Sequence, residues 1–106
     1  LFTVRFHEEA ETELDELHPV IGAKMLKLLE KLEQNPQALR EPHCKPIGNG
    51  LFELTTKGGD IARGLWVYQS GKRIFVLRIF IKKTPKTPRP EIDLAWRRLE
   101  DMQNEE

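Results

Sequence analysis

Four short stretches of alternating apolar residues, one at the start and three after residue 50, predict an α+β chain, with helical apolar spacing between them and at the end. The order is β-α-α-β-β-β-α: a small, antiparallel-dominated sheet with an N-terminal helical hairpin and a C-terminal helix, the helices mainly on one face. The 106 residues are expected to form a single domain, 1–106, and 30 Leu, Ile, Val and Phe side chains suffice for a small core.

From Phe2 to Phe6 the apolar Phe2, Val4 and Phe6 alternate with Thr3 and Arg5, a strand with one buried face. Glu8 and Glu9 open an acidic helix at the favourable end of its dipole, with Ala10, Leu14 and Leu17 at helical spacing, and His18-Pro19 breaks it. A second helix carries Ile21, Met25, Leu28, Leu29 and Leu32 on one stripe, with Lys24, Lys27, Glu30, Lys31 and Glu33 off it, and Asn35-Pro36 ends it. Residues 35–50, with three prolines and two glycines, read as loop.

Leu51 to Thr56 is a strand, residues 57–60 a turn, and Ile61 to Gln69 the next strand; Ser70-Gly71 makes a tight connection. Between Arg73 and Ile81 the alternation puts Phe75, Leu77, Ile79 and Ile81 on a wholly apolar face and Ile74, Val76, Arg78 and Phe80 on the other. Lys82 to Pro90 is basic and proline-rich. Thr87 is expected to cap a final helix with Pro88 at its first position, and Ile92, Ala95, Trp96, Leu99 and Met102 form that helix's stripe.

The formal net charge is zero, yet residues 1–44 carry −4, residues 45–90 carry +8 and residues 91–106 carry −4. A cationic block of this size can bind phosphate whatever the total says. Other chemistries fall away. Ser70, the only serine, lies in a turn, so a serine triad is excluded. His43 and Cys44 are adjacent and no second ligand cluster appears, so neither a metal site nor a cofactor is expected. Gly48-Asn49-Gly50 has no Gly-Lys-Ser/Thr after it and is no phosphate loop. No run is long enough for a transmembrane helix, Leu1 to Glu16 lacks a signal pattern, and the single Cys44 suits a reducing compartment, so a cytoplasmic location without membrane contact is expected.

The informative residue is Arg78, a charge in mid-strand that must be paired or used. It either bridges to Glu53 or joins Arg63 in facing a ligand. Lys82, Lys83, Lys86 and Arg89 follow at once, and the start of the last helix adds amides that favour anions. Tyr68 and Trp66 can stack bases or pack in the core.

The segments KPIGNGLFEL, ARGLWVY and VLRIFIKKTPKTPRPEIDLAWRRLE resemble the RelE/ParE superfamily of bacterial toxins, most nearly its HigB-like, phage-related branch, in order from Lys45 to about Leu99. The resemblance implies a RelE-like fold, a ribosome-dependent mRNA endonuclease, and a cognate antitoxin in a possible higher-order complex. By matching position Arg63 is the family's strand arginine, and Lys82, Lys83 and Lys86 match its lysine motif. The catalytic set it implies is Arg63, Arg78, Lys82, Lys83, Lys86 and Glu53; Tyr68, Trp66, Arg89 and Lys57 would contact RNA. Four positions depart from the family: its arginine after Glu-Leu is Thr55, its tyrosine before the strand arginine is Ala62, its next tyrosine is Trp66, and a later histidine is Arg78. Arg78 is expected to supply the charge that Thr55 does not. A gyrase poison of the ParE kind without RNase activity, and a non-toxic member kept for antitoxin binding, stand as the alternatives.

Overall fold

The computed structural model describes residues 1–106. In chain order these form β1 (Thr3–Phe6), α1 (Glu8–Asp15), α2 (Pro19–Gln34), a 3-10 turn (Pro36–Ala38), β2 (Cys44–Gly48), β3 (Leu51–Thr55), β4 (Ala62–Gln69), β5 (Arg73–Ile81) and α3 (Arg89–Asn104). The five strands make one sheet ordered β1-β5-β4-β3-β2, in which only β1 and β5 run parallel. No helix is long and apolar enough to cross a membrane.

The α+β class and the order of helices hold, with one strand added. The expected loop 35–50 contains β2, which pairs with β3 from Cys44↔Leu54 to Gly48↔Leu51. Its turn is Asn49-Gly50, both at positive φ (56° and 87°), the backbone that a two-residue hairpin needs. Pro46 is accommodated because β2 is an edge strand, where a missing N–H breaks no ladder.

Both helices before β2 begin on histidine caps. His7 Nδ1 accepts from the Glu9 N–H (3.1 Å) and His18 Nδ1 from the Val20 N–H (3.3 Å), with Pro19 preset for the first turn of α2. The helices cover both faces of the sheet rather than mainly one. Met25, Leu28, Leu29 and Leu32 of α2 pack on the face formed by Leu54, Ala62, Trp66, Ile74, Val76 and Ile79. Ala95 and Met102 of α3 pack on the opposite face, formed by Leu51, Leu65, Val67, Phe75, Leu77 and Phe80.

The expected face assignment of β5 holds only for its first half. Leu65 pairs with Arg78 but Trp66 pairs with Val76, so Leu77 is an extra residue in the ladder. This bulge reverses the phase of the strand. Phe75 and Leu77 point to α3, whereas Ile79 and Ile81 join the α2 side.

The bulge falls where β5 loses its neighbour. β1 covers β5 only from Arg73 to Val76, and beyond that point α1 runs along the open edge. The edge groups are met by side chains and a helix-start amide. His7 N–H donates to Val76 O (2.9 Å), Arg98 Nη1 donates to Leu77 O (3.0 Å), and the Ile79 N–H donates to Glu13 Oε1 (3.1 Å). The Glu13 carboxylate also accepts two bonds from Arg98, each 2.8 Å, and one from Arg78 at 2.5 Å. Arg78 turns its other two donors to Glu91 of α3 (2.7 and 3.2 Å). One carboxylate thus ties α1, β5 and α3 together.

Burial alone would raise the Glu13 carboxyl, but the Arg98 bonds, the Ile79 N–H and the guanidinium charges outweigh it and hold the group below its ordinary 4.5. For Arg78, burial would lower the guanidinium, and the Glu91 and Glu13 carboxylates raise it instead. A lowered carboxyl stabilises the fold fully above its unfolded value, and the contribution is lost as pH falls through the folded one. Glu13→Gln is therefore expected to cost about 2 kcal/mol, a drop in Tm of roughly 10 °C for a chain of this size. Thermal melts from pH 7 down to 3 check this: the loss between wild type and variant is constant near neutrality and shrinks below pH 4.5.

Candidate functional site

On the α3 side of the sheet, Thr55, Arg63 and Phe80 lie side by side in register across β3, β4 and β5, and Glu53 lies in the next row with Leu65 and Arg78. Arg63 and Glu53 are only 4% and 1% exposed. A guanidinium so deeply placed needs acceptors, and it finds them in the loop after β5. Arg63 Nη2 donates to Pro85 O (2.6 Å) and Nη1 to Thr87 Oγ1 (3.1 Å). The Thr87 hydroxyl in turn donates to the Glu53 carboxylate. Arg63 Nε faces Glu53 Oε1 at 3.5 Å, a charge contact without hydrogen-bond geometry.

The anchor draws residues 82–88 back over the sheet. The Lys82 N–H bonds Ile61 O (2.7 Å) where the loop leaves β5, and the Thr84 hydroxyl donates to Lys86 O (2.6 Å) inside it. Lys83 and Lys86 are exposed and Lys82 is half-buried. None of the three pairs with a carboxylate, whereas the exposed Arg89 binds Asp93 at 3.0 Å, one turn on. Held this way, the loop offers three unneutralised ammonium groups on a rigid base.

Thr87 does not cap α3. Pro88 is the N-cap residue and makes no side-chain bond, because the Thr87 hydroxyl is spent on Glu53. The helix start has little to give an anion: Pro90 has no N–H, and the Glu91 and Ile92 amides bond back to Pro88 O. The expected contribution of its amides is corrected accordingly.

Of the other expected residues, Arg78 shares a cleft with Lys83 of the loop, while Trp66, Tyr68 and Lys57 lie apart from it. The expected bridge from Arg78 to Glu53 is replaced by the pairs with Glu13 and Glu91, since the β5 bulge turns Arg78 toward α1 and α3. That guanidinium lines a cleft of about 470 Å³ in which both flanking carboxylates, Glu13 and Glu91, already bind it, so it is not a spare cation standing in for Thr55. Trp66 is 1% exposed and stacked on Phe52 with ring centroids 4.7 Å apart, so it has no face to offer a base. Tyr68 is 38% exposed, but it is five residues along β4 from Arg63, about 17 Å, and its ring packs against Phe52, Trp66 and Phe2 on the α2 side. Lys57 sits in the turn after β3 and meets Lys24 of α2, whose Nζ donates to Lys57 O (2.8 Å).

Arg98, Glu13 and Thr87 organise this region; sequence reasoning missed Arg98 and Glu13 and gave Thr87 a different role, the cap of α3. For Arg98 a signal existed: it falls between Ala95 and Met102 on the α3 stripe and is 5% exposed. Cys44 is buried and burial pushes its thiol up, which leaves it a packing residue rather than a nucleophile. No three His, Cys, Asp or Glu side chains come together within reach of one metal ion.

The family model for the phage-derived protein Gp49-like group (DUF891) matches residues 12–100. No protein of curated function matches the chain. Among solved structures, the chain is similar to a double-arginine variant of the E. coli toxin RelE in the free state, with a TM-score of 0.69, 15% identity, and coverage of 92% of this chain and 97% of that one. It is also similar to a chain of the toxin-antitoxin complex RelBE2 of Mycobacterium tuberculosis, with a TM-score of 0.56, 24% identity, and coverage of 76% and 98%. The family match runs from α1 through the anchored lysine loop to the last turns of α3, and on that extent the chain belongs to the Gp49-like phage-derived family, with the fold of RelE.

Proposed function

We propose that this chain is the toxin of a toxin-antitoxin pair and that it cuts mRNA on the ribosome. The reading draws on the family match, on a fold shared with proteins described as toxins, and on one observation in particular: Lys82, Lys83 and Lys86 stand without acidic partners on a loop that a buried Arg63–Glu53 pair holds in place.

The chemistry asks for little else. In RNA cleavage of this type the 2′-hydroxyl attacks the adjacent phosphorus. Negative charge grows on the phosphoryl oxygens, and the 5′ oxygen leaves with a proton. Fixed cations aimed at those oxygens lower the barrier because they need no reorganisation as the charge develops. A lysine can bind the phosphate as a point charge and can also carry a proton to or from it. Arg63 and Glu53 take a positioning role: being buried, they act by fixing where Lys83 and Lys86 stand. The same exposed cations suit an acidic segment of a cognate antitoxin, which would block the site by covering it.

Induced expression followed by primer extension on cellular mRNA tests the reading. New 5′ ends are expected in translated messages within minutes of induction. The Lys82→Ala/Lys83→Ala/Lys86→Ala variant is expected to lose cleavage by about 100-fold or more with an unchanged melting temperature. Growth arrest with intact mRNA and inhibited DNA supercoiling would assign the chain to the gyrase poisons instead, and expression without arrest would mark it as non-toxic.

The positioning role has its own signature. Arg63→Lys keeps the charge but loses the fork that reaches Pro85 and Thr87, and Thr87→Val removes the hydroxyl between Arg63 and Glu53. Each is expected to lower the cleavage rate roughly 10-fold, the scale of a mispositioned group, while trypsin cuts faster after Lys82, Lys83 or Lys86. Unchanged trypsin sensitivity would remove the anchor from the argument.

A further inference from the structure

A second set of unpaired lysines lies on the other side of the molecule. Lys24, Lys27 and Lys31 follow one another at three- and four-residue steps along α2, so they share one exposed face. Across from them stands Lys57, in the turn after β3, joined to the helix by the bond from Lys24 Nζ to its carbonyl (2.8 Å). These four lysines and His43 line a compact pocket of about 180 Å³, whose only apolar wall is the buried Leu28. No carboxylate pairs with any of the four. Lys27, Lys31 and His43 continue into a wider cleft of about 630 Å³ that also holds Arg40, and there Glu30 and Glu41 supply the first acidic groups.

We propose that this pocket binds a phosphate of an RNA backbone, as a second anchor separate from the lysine loop after β5. Four lysine side chains without carboxylate partners concentrate positive charge at this opening, which suits the spread negative charge of a phosphate. Continuity with the lysine loop selects an RNA strand over a docked protein segment as the occupant. The two lysine sets are linked around one end of the sheet. Thr55, Arg63 and Phe80 are aligned there, Lys57 leaves β3 two residues past Thr55, and Lys82 leaves β5 two residues past Phe80. A single strand of RNA passing around this end meets both sets. The inference deepens the mRNA-cleaving reading but does not depend on cleavage.

The test is binding of a labelled single-stranded RNA of roughly 20 nucleotides to the full chain without ribosomes, followed across salt concentrations. Lys24→Gln/Lys27→Gln/Lys31→Gln is expected to weaken binding at 50 mM salt by about 10-fold or more and to reduce the slope of log Kd against log salt by about 2. The melting temperature should be nearly unchanged, since all three side chains are exposed, none pairs with a carboxylate, and the one bond lost, Lys24 Nζ to Lys57 O, lies on the surface. Inorganic phosphate and polyglutamate are run as competitors. RNA bound in preference to both supports the proposal. Wild-type slope in the triple variant overturns it, as does polyglutamate competing as well as RNA, or phosphate alone binding as tightly as the polymer. If mRNA cleavage is absent but this RNA binding and its slope change remain, the endonuclease reading fails and the second anchor stands.

Discussion

A guanidinium buried beneath a loop must find acceptors for its donors, and at Arg63 that requirement sets the path of residues 82–88. Two of its nitrogens are met by Pro85 O and Thr87 Oγ1, and its charge is balanced by Glu53, itself fully buried. Taking such a pair out of water costs several kcal/mol per ion unless nearly every donor and acceptor is matched. The loop therefore has few alternative paths: lifting it would leave a charge pair in the sheet without its hydrogen bonds. A Pro-rich, lysine-rich segment that would be mobile alone becomes a fixed display of cations.

The same constraint explains a division of labour among the basic residues. Every ion pair in the molecule uses an arginine or His7, and none uses a lysine. Arginine's planar fork suits bidentate, half-buried contacts such as Arg78 with Glu91 and Arg98 with Glu13, while lysine remains a hydrated point charge. Six of the fifteen carboxylates in the acidic ends pair with arginine: Glu9 and Glu13, Glu91 and Asp93, and Glu105 and Glu106. A net charge of zero thus hides an arginine–carboxylate framework that holds the fold, with the lysines left outside it.

Much of the fold was legible in local pattern. The helical stripes of α2 and α3 and the alternation in β3 and β5 depend on nearest neighbours, and Phe2 to Phe6 is short but clearly alternating. What escaped depends on contacts between distant segments. The Asn49-Gly50 hairpin lies within residues 35–50, whose three prolines and two glycines give the segment a loop-like pattern that masks β2. The bulge at Leu77 has no sequence mark, since both faces of β5 are apolar and either phase satisfies the pattern. Arg78 was legible as a charge needing a partner. Its partner was not, because Glu13 is 65 residues away and reaches it only through the way α1 runs along the bare edge of β5. At the site, the lysine cluster was visible in the charge blocks, while the burial of Arg63, Glu53 and Trp66 was not, since a strand covered on both faces gives no polar alternation to read.

The register also sorts the four departures from the RelE/ParE pattern. Ala62 and Trp66 lie on the α2 side, 0% and 1% exposed, within the core. They bear on packing: a tyrosine at 62 would meet Ile81 across the ladder rather than a ligand. Thr55 and Arg78 lie on the α3 side, but Arg78 is held by two carboxylates. That leaves Thr55, directly across the ladder from Arg63. An arginine there would put a second guanidinium beside one already buried, with Glu53 the only nearby charge able to balance both. Threonine removes that repulsion and lets Arg63 commit wholly to Glu53 and the loop.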